Sequence, residues 1–159
     1  MTNQTNHTNH INKTAIITGA SRGIGAAIAK KLASCGYNLS LCCRNSSDRL
    51  NTLADELHCA YGIEVLCYTG NVGDFFFAKD MVANTISHFG HIDVLINNAG
   101  ISHIGLLSDM TPEEWNNIVA INLTGVFNFT KLVIPYMVAD KCGPVSYTHL
   151  RAHETVLDL

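Results

Sequence analysis

The stretch Thr18-Gly19-Ala20-Ser21-Arg22-Gly23-Ile24-Gly25 decides the fold, because a β-branched run at residues 14–17 leads into it and a helical pattern leads out. Glycine has no Cβ, so this turn can be tight and can bring a ligand's phosphates against backbone N–H groups. Those N–H groups lie at a helix N-terminus, where the helix dipole favours negative charge. A glycine turn at a strand-to-helix junction, near the start of a βαβ pattern, indicates a dinucleotide site.

Strand and helix patterns alternate along the rest of the chain. The first helix is predicted to bury Ile24, Ile28 and Leu32 and to end at Gly36. Further strands are predicted at residues 38–43, 64–69 and 92–96, separated by helices at residues 46–61 and 75–89. This order predicts an α/β protein of Rossmann type, with a doubly wound parallel sheet.

A long helix is predicted to begin at Thr111-Pro112-Glu113-Glu114, which is a capping box with proline at the first helical position. Ile118, Ile121 and Phe127 make this helix apolar around most of its circumference. We therefore expect it to be buried on more than one side.

Composition excludes several classes of protein. The chain has 159 residues, of which 47% are hydrophobic and 14% charged, as expected for one globular domain. Its formal charge of −3 gives no basic field for nucleic acid. Its most apolar stretch, residues 126–137, is interrupted by Lys131 and Pro135, so we expect no membrane span. Residues 1–12 are predicted to be a flexible polar tail rather than a secretory signal, which indicates a cytoplasmic protein.

The six cysteines form no C-x-x-C pair, and we predict neither disulfides nor a metal site. Cys42 and Cys43 are adjacent in a predicted strand, so their side chains should point to opposite faces of the sheet as buried thiols. His7 and His10 are assigned to the polar tail rather than to a metal site.

Over residues 13–143, the chain resembles the short-chain dehydrogenase/reductase family, closest to members that reduce 3-oxoacyl-acyl-carrier-protein. The glycine turn, Asn97-Asn98-Ala99-Gly100 and residues 115–122 carry this resemblance. It implies that a nicotinamide cofactor reduces a small-molecule or carrier-bound carbonyl, and that the protein is a homodimer or homotetramer through the long helix. Asn122 matches the family's catalytic asparagine, which holds a water for proton relay. The residues expected to bind the cofactor are Thr18, Gly19, Ser21, Arg22, Gly23, Ile24, Gly25, Arg44, Asn45, Asn71, Val72, Asn98, Ala99 and Gly100. Asn97 is expected mainly to tie strand ends together.

The cofactor type is set at the end of the second predicted strand. In the family an acidic residue there accepts the ribose hydroxyls, whereas a basic residue neutralises a 2′-phosphate. Cys43-Arg44-Asn45 has no carboxylate, and Arg22 supplies a second guanidinium, so NADP(H) is favoured over NAD(H). Either arginine could instead be a surface residue without a partner. Asn71-Val72 stands where the family usually has Asp-Val beside the adenine.

The loop after Gly100 leaves the substrate open. Its sequence at residues 100–107 is more like that of relatives which reduce the aminopentanone modification on elongation factor P. His103 in this loop is interpreted as an incidental residue rather than an acid-base group. A non-catalytic module that senses NADP(H) is a further alternative.

The end of the chain departs from the family pattern. The family chemistry needs a serine, a tyrosine and a lysine four positions after the tyrosine, whereas Tyr147 is followed by Arg151. Only residues 144–146 separate Gly143 from Tyr147, too few for a strand of average length and a serine-bearing loop. Residues 145–155 match one reading frame of a transposon-end adapter used in preparing sequencing libraries. We therefore expect residues 144–159 to be non-native, the sheet to stop after its fourth strand and the long helix, and catalysis to be absent.

Overall fold

A computed structural model describes residues 12–140 and 145–147, so most of the predicted tails at residues 1–12 and 144–159 lies outside the described residues. Five parallel strands form one sheet in the order β3-β2-β1-β4-β5. The strands are β1 Thr14–Thr18, β2 Asn38–Cys43, β3 Val65–Thr69, β4 Val94–Asn97 and β5 Val145–Tyr147. The order reverses between β1 and β4, which opens a crevice at their carboxyl ends. The predicted α/β Rossmann-type fold is confirmed.

Helices cover both faces of the sheet. They are α1 Gly23–Ser34, α2 Ser47–Tyr61, α3 Phe75–Phe89, α4 Pro112–Val119 and α5 Gly125–Ala139. Side chains from α1 and α2 pack with Ile17 in one core, and side chains from α3 and α5 pack with Ile16 in the other. Cys43 belongs to the first core and Cys42 to the second, so their predicted opposite orientation is confirmed. Cys142 lies outside the described residues.

The predicted buried face of α1 is confirmed at Ile28 and Leu32, which are partly buried against the first core, and is wrong at Ile24. Ile24 is 58% exposed, and the buried residues are Gly25, Ala29 and Ala33. A Cβ at Gly25 would lie only 2.5 Å from the carbonyl oxygen of Gly19. The helix therefore lies so close to the glycine turn that only small residues fit beneath it.

Two predicted strands start too early. β3 begins at Val65, and β4 begins at Val94 and extends through Asn97. Before β4, the Asp93 side chain is buried, and its Oδ2 accepts a hydrogen bond of 2.7 Å from the backbone N–H of Thr14. A hydrophobic pattern could not reveal this contact, because it joins residues that are distant in sequence.

The expectation that the sheet stops after four strands was wrong for the described residues. The fifth strand, β5, pairs in parallel with β4, with Val145 beside Leu95. Only three residues pair, whereas the prediction used the average length of a strand. The free edge of β4 offers unpaired N–H and C=O groups, and valine and tyrosine favour extended structure, so even a short segment can pair there.

The long helix begins with the predicted capping box. The hydroxyl of Thr111 accepts from the N–H of Glu114 at 3.2 Å, and the Glu114 carboxylate accepts from the N–H of Thr111 at 2.9 Å. The bond from the Thr111 N–H, and a second one of 3.2 Å that the Thr111 hydroxyl donates to the same carboxylate, lower the pKa of Glu114. Helix α4 continues through a π-helical segment, Ala120–Thr124, into α5.

Within the single chain, the long helix is buried on one side. Phe129, Val133 and Met137 are buried, whereas Leu123 is 66% and Phe127 57% exposed.

The expectation that no stretch could span a membrane was too strict. On length and composition alone the helix over residues 112–139 could do so, since its most apolar 18-residue window has a mean hydropathy of 1.5 despite its charged residue and proline.

Candidate functional site

A cavity of about 890 Å³ opens at the carboxyl ends of the strands, where β1 and β4 diverge. Every predicted site residue lines it except Thr18 and Gly25. The lining residues are Gly19, Ser21, Arg22, Gly23, Ile24, Cys43, Arg44, Asn45, Ser46, Gly70, Asn71, Val72, Asn98, Ala99, Gly100, Ile101, Ser102, Ile121 and Asn122. The volume is in the range of small-molecule and cofactor sites.

Thr18 supports the cavity from beneath. Its hydroxyl oxygen accepts hydrogen bonds of 3.0 Å from the backbone N–H groups of Asn98 and Ala99. The side-chain amide of Asn98 donates to the carbonyl oxygens of Thr18 and Gly19, also at 3.0 Å. The end of β1 and the segment after β4 are therefore held together by four hydrogen bonds.

The two adjacent asparagines make different contacts, and the role predicted for Asn97 was wrong. Asn97 was expected to tie the strand ends, but its side-chain amide instead donates to the hydroxyl of Thr130 in α5 at 3.2 Å. Asn98 ties the strands and also lines the cavity. The sequence could not distinguish these roles, because they depend on the direction in which each side chain points at the end of β4.

The glycine turn presents backbone to the cavity. Gly19 has φ +66°, and a Cβ there would lie 2.8 Å from the Cα of Ala99. Gly23, the first residue of α1, has φ +58°. The first N–H groups of a helix have no partner within the helix, and the first turn of α1 holds no acidic side chain. This end of the cavity is therefore suited to an anion.

Positive charge lies on the β2 side of the same cavity. Arg22 and Arg44 are both exposed, and no carboxylate occurs among the residues that line the cavity. The Arg44 guanidinium also donates to the side-chain oxygen of Asn117 in α4 at 3.5 Å. The pair can neutralise a phosphate placed beside the end of β2.

Asn122 lies in the π-helical segment of the long helix. Its Oδ1 accepts from the backbone N–H of Ile101 at 2.9 Å, and its Nδ2 donates to the carbonyl oxygen of Ile101 at 2.8 Å. Asn122 fixes the loop that follows Gly100.

Six lining residues were not predicted. They are Cys43, Ser46, Gly70, Ile101, Ser102 and Ile121. Gly70 and Cys43 could have been found from the rule that ligands bind at the carboxyl ends of strands. Ile121 gave no such signal, because an apolar residue in a helix is first assigned to the core.

The ionisable groups around the cavity offer little acid-base chemistry. Burial raises the pKa of the Cys42 thiol to about 12 and that of Cys67 to about 11, so neither is a reactive thiolate. The ring of His103 is directed toward Glu114, with Nδ1 3.8 Å from a carboxylate oxygen, and it does not line the cavity.

Together the sheet order, the glycine turn and the cavity define a Rossmann-type nucleotide-binding protein. The profile of the family described as short chain dehydrogenase matches residues 13–147, and the chain belongs to that family.

Curated relatives agree with this assignment. The chain is 40% identical over 135 residues to the 3-oxoacyl-[acyl-carrier-protein] reductase FabG of Staphylococcus epidermidis, which covers 85% of this chain and 55% of that protein. It is 38% identical over 125 residues to the D-beta-hydroxybutyrate dehydrogenase of Cupriavidus necator, covering 79% of this chain and 48% of that protein. The chain thus spans about half the length of the curated relatives it matches.

Solved structures show the same fold. An alcohol dehydrogenase from Thermococcus sibiricus, complexed with 5-hydroxy-NADP, superposes with a TM-score of 0.78 at 35% identity, covering 84% of this chain and 57% of that one. A metagenomic short-chain oxidoreductase in complex with NADP gives a TM-score of 0.80 at 34% identity, covering 85% of this chain and 61% of that one.

Proposed function

We propose that the protein is an NADP(H)-dependent carbonyl reductase of the 3-oxoacyl-acyl-carrier-protein reductase type. The observation that carries the cofactor assignment is the pair Arg22 and Arg44 beside a cavity whose lining has no carboxylate. Two similar structures are complexes with NADP or its 5-hydroxy derivative, which supports the same choice. The similarity to 3-oxoacyl-[acyl-carrier-protein] reductases supports the substrate class and a place in fatty acid biosynthesis.

The residues around the cavity fit such a cofactor. The first-turn N–H groups of α1 would hold the pyrophosphate, and Gly19 would let it approach because a side chain there has no room. Arg22, Arg44 and Asn45 would hold the 2′-phosphate. The remaining predicted contacts are Asn71 and Val72 with the adenine, and Asn98, Ala99 and Gly100 with the ribose near the nicotinamide. When bound, the reduced nicotinamide supplies a hydride to the carbonyl carbon.

Asn122 is proposed to hold a water on the proton path. Its two hydrogen bonds to Ile101 use one lone pair of Oδ1 and one N–H. An amide has a second lone pair and a second N–H, which remain suitable for a water. The same contacts fix the amide's orientation.

We further propose that the 159-residue chain binds NADP(H) without turnover, because residues 144–159 are not native protein. The match of residues 145–155 to a translated adapter supports this proposal, and Arg151 cannot replace the family's lysine because guanidinium stays charged. A native sensor of NADP(H) would also bind without turnover.

The loop at residues 100–107 favours, as a second enzyme candidate, a reductase of the aminopentanone modification on elongation factor P.

The exposed apolar face of the long helix supports a homodimer or homotetramer in the cytoplasm. Leu123 and Phe127 lie on this face. Covering it with a second copy would remove apolar surface from water.

Calorimetry with NADPH and NADH on the 159-residue chain, followed by an NADPH-oxidation assay with a 3-oxoacyl thioester, tests these proposals. We expect NADPH to bind at least about ten-fold more tightly than NADH, and no oxidation. Preference for NADH, or no binding, would refute the cofactor assignment. Resequencing the locus from intact DNA tests the ending: a different downstream sequence should restore turnover, whereas an uninterrupted gene with this ending would favour the sensor.

A further inference from the structure

Two asparagines of the long helix hold the loops at opposite ends of the cavity. Asn122 binds the backbone of Ile101, as described above. Asn128, six residues further along, is 2% exposed, and its side-chain amide donates to the carbonyl oxygens of Val72 and Gly73, each at 3.2 Å. Val72 lines the cavity, whereas Asn128 does not.

The loop and the helix pack with no spare space at this contact. A Cβ on Gly73 would lie 2.8 Å from the carbonyl oxygen of Ala120, and a Cβ on Gly125 would lie 2.8 Å from the Cγ2 of Val72. The loop backbone therefore lies in close contact with the helix at this point.

Two other hydrogen bonds, both within the loop, orient Asn71. The Asn71 side-chain oxygen accepts from the N–H of Gly73 at 3.0 Å, and its carbonyl oxygen accepts from the N–H of Asp74 at 2.9 Å. Asn128 holds the carbonyl oxygen of Gly73. The side chain of Asn71, which lines the cavity, is thus linked to Asn128 through Gly73.

We propose that Asn128 is a positioning residue for the adenine-side wall of the cavity, acting through Val72 and Gly73. This inference rests on the proposed NADP(H) function. Removing the Asn128 amide takes the donor from two carbonyl oxygens, and the loop then gains freedom to move. The nicotinamide side keeps its own support from Asn122, so the two halves of the site should respond differently.

The test measures the two halves of the cofactor separately on the 159-residue chain. Asn128→Leu keeps the approximate shape and removes both donors, and Asn84→Leu on the exposed face of α3 is the control. Ligand-observed NMR gives Kd for adenosine 2′,5′-bisphosphate and for nicotinamide mononucleotide. With Asn128→Leu we expect the first Kd to rise about ten-fold and the second to change less than about two-fold. Asn84→Leu should change neither.

A purely structural role would weaken both fragments equally, and that result, or no change in either, overturns the proposal. If Asn128→Leu does not fold, Asn128→Ala, which also removes both donors, replaces it and must show the same selective loss. If the unaltered chain binds neither fragment, the proposed function is refuted, and this inference is refuted as well because it depends on that function. If the unaltered chain binds both and the variants lose both equally, only the positioning role fails.

Discussion

Asn98 and Thr18 are joined by two hydrogen bonds of 3.0 Å, one from the Asn98 backbone to the Thr18 hydroxyl and one from the Asn98 side chain to the Thr18 carbonyl. They connect the ends of β1 and β4 at the point where the strand order reverses. The cavity opens at this point because the helices that follow β1 and β4 pack on opposite faces of the sheet. The contact therefore sets the width of the proposed cofactor site.

Thr18→Val should destabilise the protein because Thr18 is 3% exposed and its hydroxyl accepts from two backbone N–H groups. Valine has nearly the same shape but leaves both N–H groups without this acceptor. We expect the free energy of unfolding to fall by about 2–3 kcal/mol, measured by urea denaturation. Thr18→Ser keeps the hydroxyl and should cost about 1 kcal/mol or less. Equal losses in both variants would contradict the role given to the hydroxyl.

Local patterns predicted the elements well because the information they need is local. The glycine turn and the capping box at Thr111 both appear where expected. Contacts between distant residues were not predictable in the same way. The prediction that Ile24 is buried was wrong, because the close approach of Gly25 to Gly19 decides which residues of α1 face the sheet.

The candidate site was predicted as a set of residues but not as a network. The family motif identifies Asn97 and Asn98, yet only the geometry of β4 shows which one reaches Thr18. Asn128 gave no signal, because an asparagine within an apolar helix can be buried or exposed. The long helix is apolar around most of its circumference, which predicts burial on several sides. A single chain covers only one of these sides.

Gly19→Ala should impair both folding and binding. The residue has φ +66°, and the added Cβ would lie 2.8 Å from the Cα of Ala99, where backbone must move. We expect unfolding free energy to fall by at least about 2 kcal/mol and NADPH affinity to fall at least about ten-fold.

Gly36→Ala is the matched control for this substitution. Gly36 has φ +80°, but a Cβ there meets nothing within 4 Å. It should cost only the conformational penalty of about 1–2 kcal/mol and leave NADPH affinity unchanged. If calorimetry gives the two variants the same affinity, the glycine turn does not hold the phosphates.

Arg44→Ala should weaken NADPH binding selectively. A charged hydrogen bond to a phosphate contributes about 1.5–3 kcal/mol, so Kd for NADPH should rise roughly ten- to a hundred-fold while Kd for NADH stays within about two-fold. Arg49→Ala, a change in α2 outside the cavity lining, should alter neither value.

Asn117→Ala completes this experiment because Asn117 is the partner of Arg44 in α4. Both side chains are exposed, so the contact is weak, and we expect Kd for NADPH to change by no more than about three-fold. Titrations with both nucleotides measure these effects. A parallel loss of NADH affinity in Arg44→Ala would show that the arginine does not recognise the 2′-phosphate.

The stability of the protein should fall in alkaline solution because of Cys42. Burial raises the pKa of its thiol from 9.0 to about 12, so the folded state retains a proton that the unfolded state loses. The contribution of this group is fully present below about pH 9 and declines as the pH rises toward 12, at about 1.4 kcal/mol per pH unit. Cys67, with a pKa raised to about 11, acts in the same direction.

Cys42→Ser removes this titration while keeping a small side chain in β2. Between about pH 9 and pH 10.5, we expect the unaltered chain to lose about 2 kcal/mol more unfolding free energy than Cys42→Ser does, from urea denaturation at each pH. The serine variant starts from a lower stability, because its buried hydroxyl needs a hydrogen bond, so the slopes and not the absolute values are compared. Cys35→Ser, at an exposed thiol, should keep the slope of the unaltered chain. Parallel slopes for Cys42→Ser and the unaltered chain would mean that Cys42 already ionises freely in the folded state, which its complete burial in the core behind the glycine turn argues against.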